Sequence, residues 1–172
     1  MNKHTIITTI AIIVIAIPVL YGIWSIYAVE QIQFRSSDEK FRYFDMANNE
    51  KIEVCNPNPF FVTFNGLRID AYYKGDIKGT WQSNSKTLSP QTSEVLEIDY
   101  SSKNWPESQY LFMHMDGQFT GEQIIRIDPR EMIIVTTFDT RIIGIIPFPV
   151  TITQSGFEYS QIMNEDSVCD KV

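Results

Sequence analysis

From Thr5 to Val29 the chain runs for twenty-five residues without an Asp, Glu, Lys or Arg. A helix of that length covers roughly 37 Å, enough to cross a hydrocarbon core with some tilt. A cleaved secretory signal would have a shorter apolar region and small residues at the cleavage site. Here the run continues through Val19, Leu20, Ile23 and Ile26, and the position three before the end of Ala28 is Ile26. The segment therefore reads as an uncleaved anchor, with Tyr21, Trp24 and Tyr27 where amphipathic rings meet headgroups. Pro18 is tolerated in a spanning helix. Counting only Lys and Arg, with Lys3 before the span and Arg35, Lys40 and Arg42 after it, would put the following domain inside. Those later basics are mixed with Asp38 and Glu39, and Glu30 comes first, so the domain is expected on the extracytoplasmic side. The division expected is an anchor over 1–29, a domain over 30–163 and a polar tail over 164–172, with the lipid bilayer as a partner through Thr5–Val29.

Charge excludes one class of partner. Setting Lys3 aside, the rest of the chain has 13 basic against 21 acidic residues, a net charge of −8. Such a domain is repelled by nucleic acid, and no basic cluster offsets it. Two cysteines, Cys55 and Cys169, are too few for a disulfide scaffold or a Cys-based zinc site. Whether they pair is left open. Cys55 shares a strand side with Lys51 and Glu53, and Cys169 falls in a tail expected to be mobile, so neither is expected to be essential for folding.

The domain is patterned as β-structure. Leu67, Ile69, Ala71 and Tyr73 alternate with Arg68, Asp70, Tyr72 and Lys74; Gly75-Asp76 then supplies a turn and Ile77–Trp81 a hairpin partner. Leu96, Ile98 and Tyr100 alternate with Glu97 and Asp99. Ile125 and Ile127 begin another strand, Met132–Phe138 is rich in β-branched residues, and Val150 and Ile152 alternate with Thr151 and Thr153. Ser155-Gly156 reads as a turn before a last strand at Phe157 and Tyr159. With Phe41–Phe44, Ile52–Val54 and Phe60–Phe64, the pattern predicts about seven to nine short strands at sandwich spacing. One short helix is predicted between Ser102 and Gly117, capped by Ser102 or Asn104, with Pro106 in its first turn. The fold expected is mainly β, a β-sandwich with one short helix behind a single N-terminal transmembrane helix.

No catalytic constellation emerges. His114 is the sole domain histidine, and no nucleophile elbow, zinc-protease motif, phosphate loop or dinucleotide fingerprint is present. Asp38-Glu39 and Glu165-Asp166 lack the spacing of a calcium loop. No enzyme activity, cofactor or metal is expected. Among the aromatics, Tyr72, Trp81 and Trp105 are the ones whose exposure would suggest a binding face.

The stretch Ile52-Glu53-Val54-Cys55-Asn56-Pro57-Asn58-Pro59-Phe60 ends one strand in Asn-Pro and starts another. A hairpin turn at Tyr73, Lys74 and Gly75 follows, then a turn at Ser89, Pro90 and Thr92, a helix, and Ile142-Ile143-Gly144 beside a strand. This order resembles the second subgroup of late embryogenesis abundant proteins, the water-stress-and-hypersensitive-response domain, in its membrane-anchored archaeal form, over roughly Ile32 to Met163. The resemblance implies an immunoglobulin/fibronectin-III-like sandwich and a non-enzymatic part in desiccation or osmotic stress. Its Asn-Pro motif falls on Asn56 and Pro57, which read as a structural corner: Asn bonds nearby backbone and Pro fixes chain direction. The alternative is an accessory subunit of a larger membrane complex, with a membrane-protein partner. One candidate contact surface stands out. Ile142, Ile143, Ile145, Ile146 and Phe148 lie in an apolar run broken only by Gly144, Pro147 and Pro149. The run reads first as a buried bend or sheet edge, since paired prolines exclude a central strand. Its functional reading is an exposed apolar tip that docks on lipid or a partner.

Overall fold

The computed structural model describes residues 3–37, 40–49, 51–120, 128–142 and 145–171. The apolar segment forms α1 (Lys3–Glu30), long and apolar enough to span a bilayer and almost wholly exposed along its length. Its last turn is different. Ala28 and Val29 are buried, and Ile32 just beyond joins the same core. The helix thus ends inside the domain rather than on a free linker.

After α1 come β1 (Gln33–Arg35), α2 (Tyr43–Asn49), β2 (Lys51–Asn56) and β3 (Val62–Phe64). The chain continues through β4 (Gly66–Tyr73), β5 (Asp76–Ser83), β6 (Lys86–Leu88), β7 (Thr92–Glu97) and β8 (Asp99–Ser101). The last elements are α3 (Trp105–Thr120), β9 (Met132–Ile142), β10 (Ile146–Ser155) and α4 (Gly156–Met163). All strand pairs are antiparallel. One sheet has the order β10-β9-β4-β5-β8, a second β1-β2-β7, and β3-β6 forms a two-stranded piece. Phe34 of the second sheet stacks on Phe138 of the first at 5.6 Å, and Phe64 meets Phe138 edge-on at 5.5 Å. These rings join the sheets across one apolar core, an immunoglobulin-like form of the β-sandwich that the patterning predicts.

Local chemistry explains the elements. Tyr73 pairs with Asp76, so the hairpin turn is Lys74-Gly75, one residue earlier than the sequence reading placed it. Both residues have positive φ, 52° and 86°, the pair of left-handed conformations that a two-residue hairpin loop requires. The alternation of Leu96, Ile98 and Tyr100 conceals a change of sheet: β7 belongs to one sheet, β8 to the other, and buried Ile98 sits between them. The predicted helix is α3, shifted by three residues to Trp105–Thr120. Two further helices replace expected strands. Tyr43 and Phe44 open α2, where Tyr43 fills the core and its hydroxyl donates to the Gly156 carbonyl. Phe157 and Tyr159 lie in α4, whose start is a capping box: the Ser155 hydroxyl accepts from Glu158 N at 3.2 Å and Glu158 accepts from Ser155 N at 2.8 Å. The expected strand at Ile125 and Ile127 lies outside the described residues.

The tail is tied down, against the expectation of mobility. Cys169 forms a disulfide with Cys55 of β2, 114 residues away. Cys55 is buried although it shares the strand side of Lys51, because the C-terminal turn Val168–Lys171 packs over that end of β2. Asn164 Oδ1 accepts from Phe41 N at 2.8 Å, and Val168 N donates to Gln33 Oε1 at 3.1 Å.

Candidate functional site

Asn56 and Pro57 form a corner joined to the end of α1. Asn56 is fully buried, and its Nδ2 donates to the carbonyls of Phe60 at 2.9 Å, Ser89 at 3.0 Å and Leu88 at 3.4 Å. Its Oδ1 accepts from Asn58 N and Asn58 Nδ2, both at 3.0 Å. Asn58 Nδ2 also donates to the Ala28 carbonyl at 3.1 Å, in the last turn of α1. The second asparagine of the Asn-Pro-Asn-Pro stretch therefore satisfies a helix-end acceptor and links α1 to the sandwich. These contacts are structural in kind, all made to backbone or within the corner.

The described apolar residues after Ile142 are exposed. Ile145 is 78 % exposed, Ile146 56 % and Phe148 40 %. Their favoured burial is thus corrected. β10 is an edge strand, so Pro147 and Pro149 are accommodated, and the hairpin tip extends past the core. Ile142 is half-buried and Ile143 lies outside the described residues.

A cleft that the sequence did not suggest opens between the two sheets. It has a volume of about 370 Å³ and runs between β1 and β10, each at the edge of its sheet. Ile32, Phe34, Ile152 and Ile162 supply apolar lining, Gln33, Thr136 and Gln154 supply polar groups, and Glu30, Glu165 and Asp166 form an acidic rim. The residues come from positions more than a hundred apart, so no local motif announces it.

A polar cluster pins α3 to β5. Lys78 Nζ contacts Glu107 Oε1 at 2.6 Å and Asp76 at 3.7 Å; Ser102 Oγ donates to the Lys78 carbonyl at 2.9 Å, as does Ser108 Oγ. The hydrogen bond to Glu107 raises the Lys78 pKa, and the same bond lowers that of Glu107. A lowered carboxylate pKa contributes above the group's ordinary value and is lost as pH falls through the lowered one; a raised lysine pKa is lost only as pH rises through it. The clamp is therefore intact across neutral pH and opens first on the acid side. Trp105, in the first turn of α3 and 5.0 Å from the Tyr100 ring, reports it. Its emission is expected to change on acidification, with a midpoint below the ordinary value of a glutamate, and Glu107→Gln is expected to abolish that transition. Of the other aromatics singled out, Trp81 is buried in the core, Tyr72 half-buried and Trp105 just exposed. His114 stacks on Tyr110 and bonds its carbonyl at 2.7 Å. Among the described residues no group of three or more His, Cys, Asp or Glu side chains converges as a metal site would require.

The fold is a two-sheet immunoglobulin-like sandwich with an open cleft between sheet edges. Residues 28–116, from the end of α1 through most of α3, match the family of the C-terminal domain of the pili assembly chaperone PapD. The chain belongs to that family. A comparison with curated proteins gives no match. The family assignment overturns the resemblance to late embryogenesis abundant proteins and the water-stress role that came with it. The order of elements that carried the resemblance is a property of the sandwich. Asn56 locks a strand-to-strand corner, and Lys74-Gly75 closes a hairpin; neither feature distinguishes one family of such sandwiches from another.

Proposed function

We propose that this protein is a membrane-tethered, non-enzymatic chaperone-type domain, placed on the extracytoplasmic side, that holds an extended segment of another polypeptide in the β1–β10 cleft. The anchor comprises residues 1–29, the working domain 30–163 and the cystine-pinned tail 164–172. The observation that carries this reading is the cleft itself. The half of β10 from Val150 to Ser155 is free of proline and lies at a sheet edge, where an added strand finds unpaired backbone groups. Family membership supplies the class: the PapD domain belongs to a chaperone. The Cys55–Cys169 bridge supports the compartment, since disulfides persist outside the reducing cytoplasm. The acidic rim selects the client chemistry, a segment alternating apolar and basic residues.

The test uses full-length protein in phosphatidylcholine nanodiscs and a synthetic peptide of alternating Val and Lys. Binding is expected to perturb Ile32–Phe34 and Ile152–Gln154. Charge reversal at the exposed rim, Glu165→Lys with Asp166→Lys, is expected to weaken binding by about tenfold, the equivalent of roughly 1.4 kcal/mol, with a loss of salt sensitivity. Equal affinity for the variant, or perturbations confined to other surfaces, would overturn the cleft as the client site.

A further inference from the structure

We infer that the β9–β10 tip is a second membrane contact, with Ile145, Ile146 and Phe148 seated at the headgroup–acyl boundary of the bilayer that α1 crosses. This rests on the reading of α1 as a spanning anchor and adds a surface to it. After α1 the chain runs away from the tip: Ser36 N bonds the carbonyl of Met163, at the end of α4, which follows the opposite end of β10. Traced backwards, α1 therefore climbs alongside β9 and β10 toward the hairpin, and it packs on both strands.

Ile32 and Thr136 line the same cleft and give a common level. From Thr136 to Ile142 the strand climbs about 20 Å, or about 15 Å if tilted by roughly 40°. From Ile32 back to Trp24 the chain climbs about 12 Å. The tip thus reaches the level of Trp24 and Tyr21, the aromatic belt of the span. Phe60 marks that level on the domain, with its ring 5.7 Å from that of Trp24, and exposed Phe61 lies beside it. Pro147 and Pro149 remove backbone donors at this end of the edge strand, which makes it a poor template for an added polypeptide strand. Bulky aliphatic and aromatic side chains at interface height instead match what a bilayer boundary takes up. Arg141, exposed and paired with Pro147, offers a guanidinium to lipid phosphate.

The experiment reconstitutes the full chain into phosphatidylcholine vesicles containing a lipid with a photoreactive group on its acyl chain, and maps cross-links by mass spectrometry. Cross-links are expected on α1 and also on Ile145–Phe148. Cross-links on α1 alone overturn the second contact and leave the anchor standing; cross-links on neither overturn both. The variant Ile145→Asp with Ile146→Asp is expected to lose the tip cross-links while keeping those on α1 and the wild-type unfolding midpoint. Unfolding of the variant would show that the tip is core and overturn the inference. Tip cross-links to a second protein in place of lipid would do the same.

Discussion

Reduction of the Cys55–Cys169 bridge is expected to lower the unfolding free energy by about 4 kcal/mol, a large share of the roughly 5–15 kcal/mol available to a domain. The bridge spans 114 residues of sequence, and a loop that long removes much of the freedom of the unfolded chain. It also holds in place the tail that covers the end of β2. Urea unfolding of the full chain, followed by the emission of buried Trp81, measures the effect with and without reductant. The midpoint should fall, and the slope should rise, because a reduced unfolded chain exposes more surface. Cys169→Ser should reproduce the reduced protein without added reductant. An unchanged midpoint would show that the cysteines are dispensable, as their sequence context suggested.

That context illustrates what a linear reading can and cannot carry. The helix α1 was legible because a long apolar run is a local property of the sequence. The sandwich was legible because period-two alternation is written into each strand, as in Leu67, Ile69 and Ala71, all buried in the structure. Cys55 failed because a side chain on the polar side of its strand is covered by residues 114 positions later. The α4 helix failed although its signal was present: Ser155-x-x-Glu158 is a capping box, read instead as a turn because Ser-Gly is a frequent turn pair. The tip failed for a different reason. An unalternating apolar run is compatible with burial on both faces or on none, and only the edge position of β10 decides between them. The β1–β10 cleft had no signal at all, since it exists only once two sheet edges are brought together.

The Asn-Pro pair reads in the sequence as a structural corner; in the structure the Asn56 side chain donates to three carbonyls. Replacing Asn56 with Ala is expected to cost about 3–5 kcal/mol, because three buried or half-buried carbonyls lose their donor and Asn58 loses its acceptor. Asn56→Asp is expected to be worse, since it keeps the shape and sets a carboxylate against the carbonyls of Phe60, Leu88 and Ser89. The ordering of these two variants is diagnostic: a packing role alone would make the isosteric Asp the milder change. Asn58→Ala separates the corner from the anchor. It removes the bond to the Ala28 carbonyl and one of the two bonds to Asn56, leaving the Asn56 donors in place. Its expected loss of stability is smaller, about 1–2 kcal/mol. Its main expected effect is mechanical: the domain gains freedom relative to α1, seen as a broader distribution of spin-label distances between α1 and β5 in nanodiscs. If Asn58→Ala left that distribution unchanged, the asparagine link would not set the domain's posture on the membrane, and the burial of Ala28 and Val29 would have to do so alone.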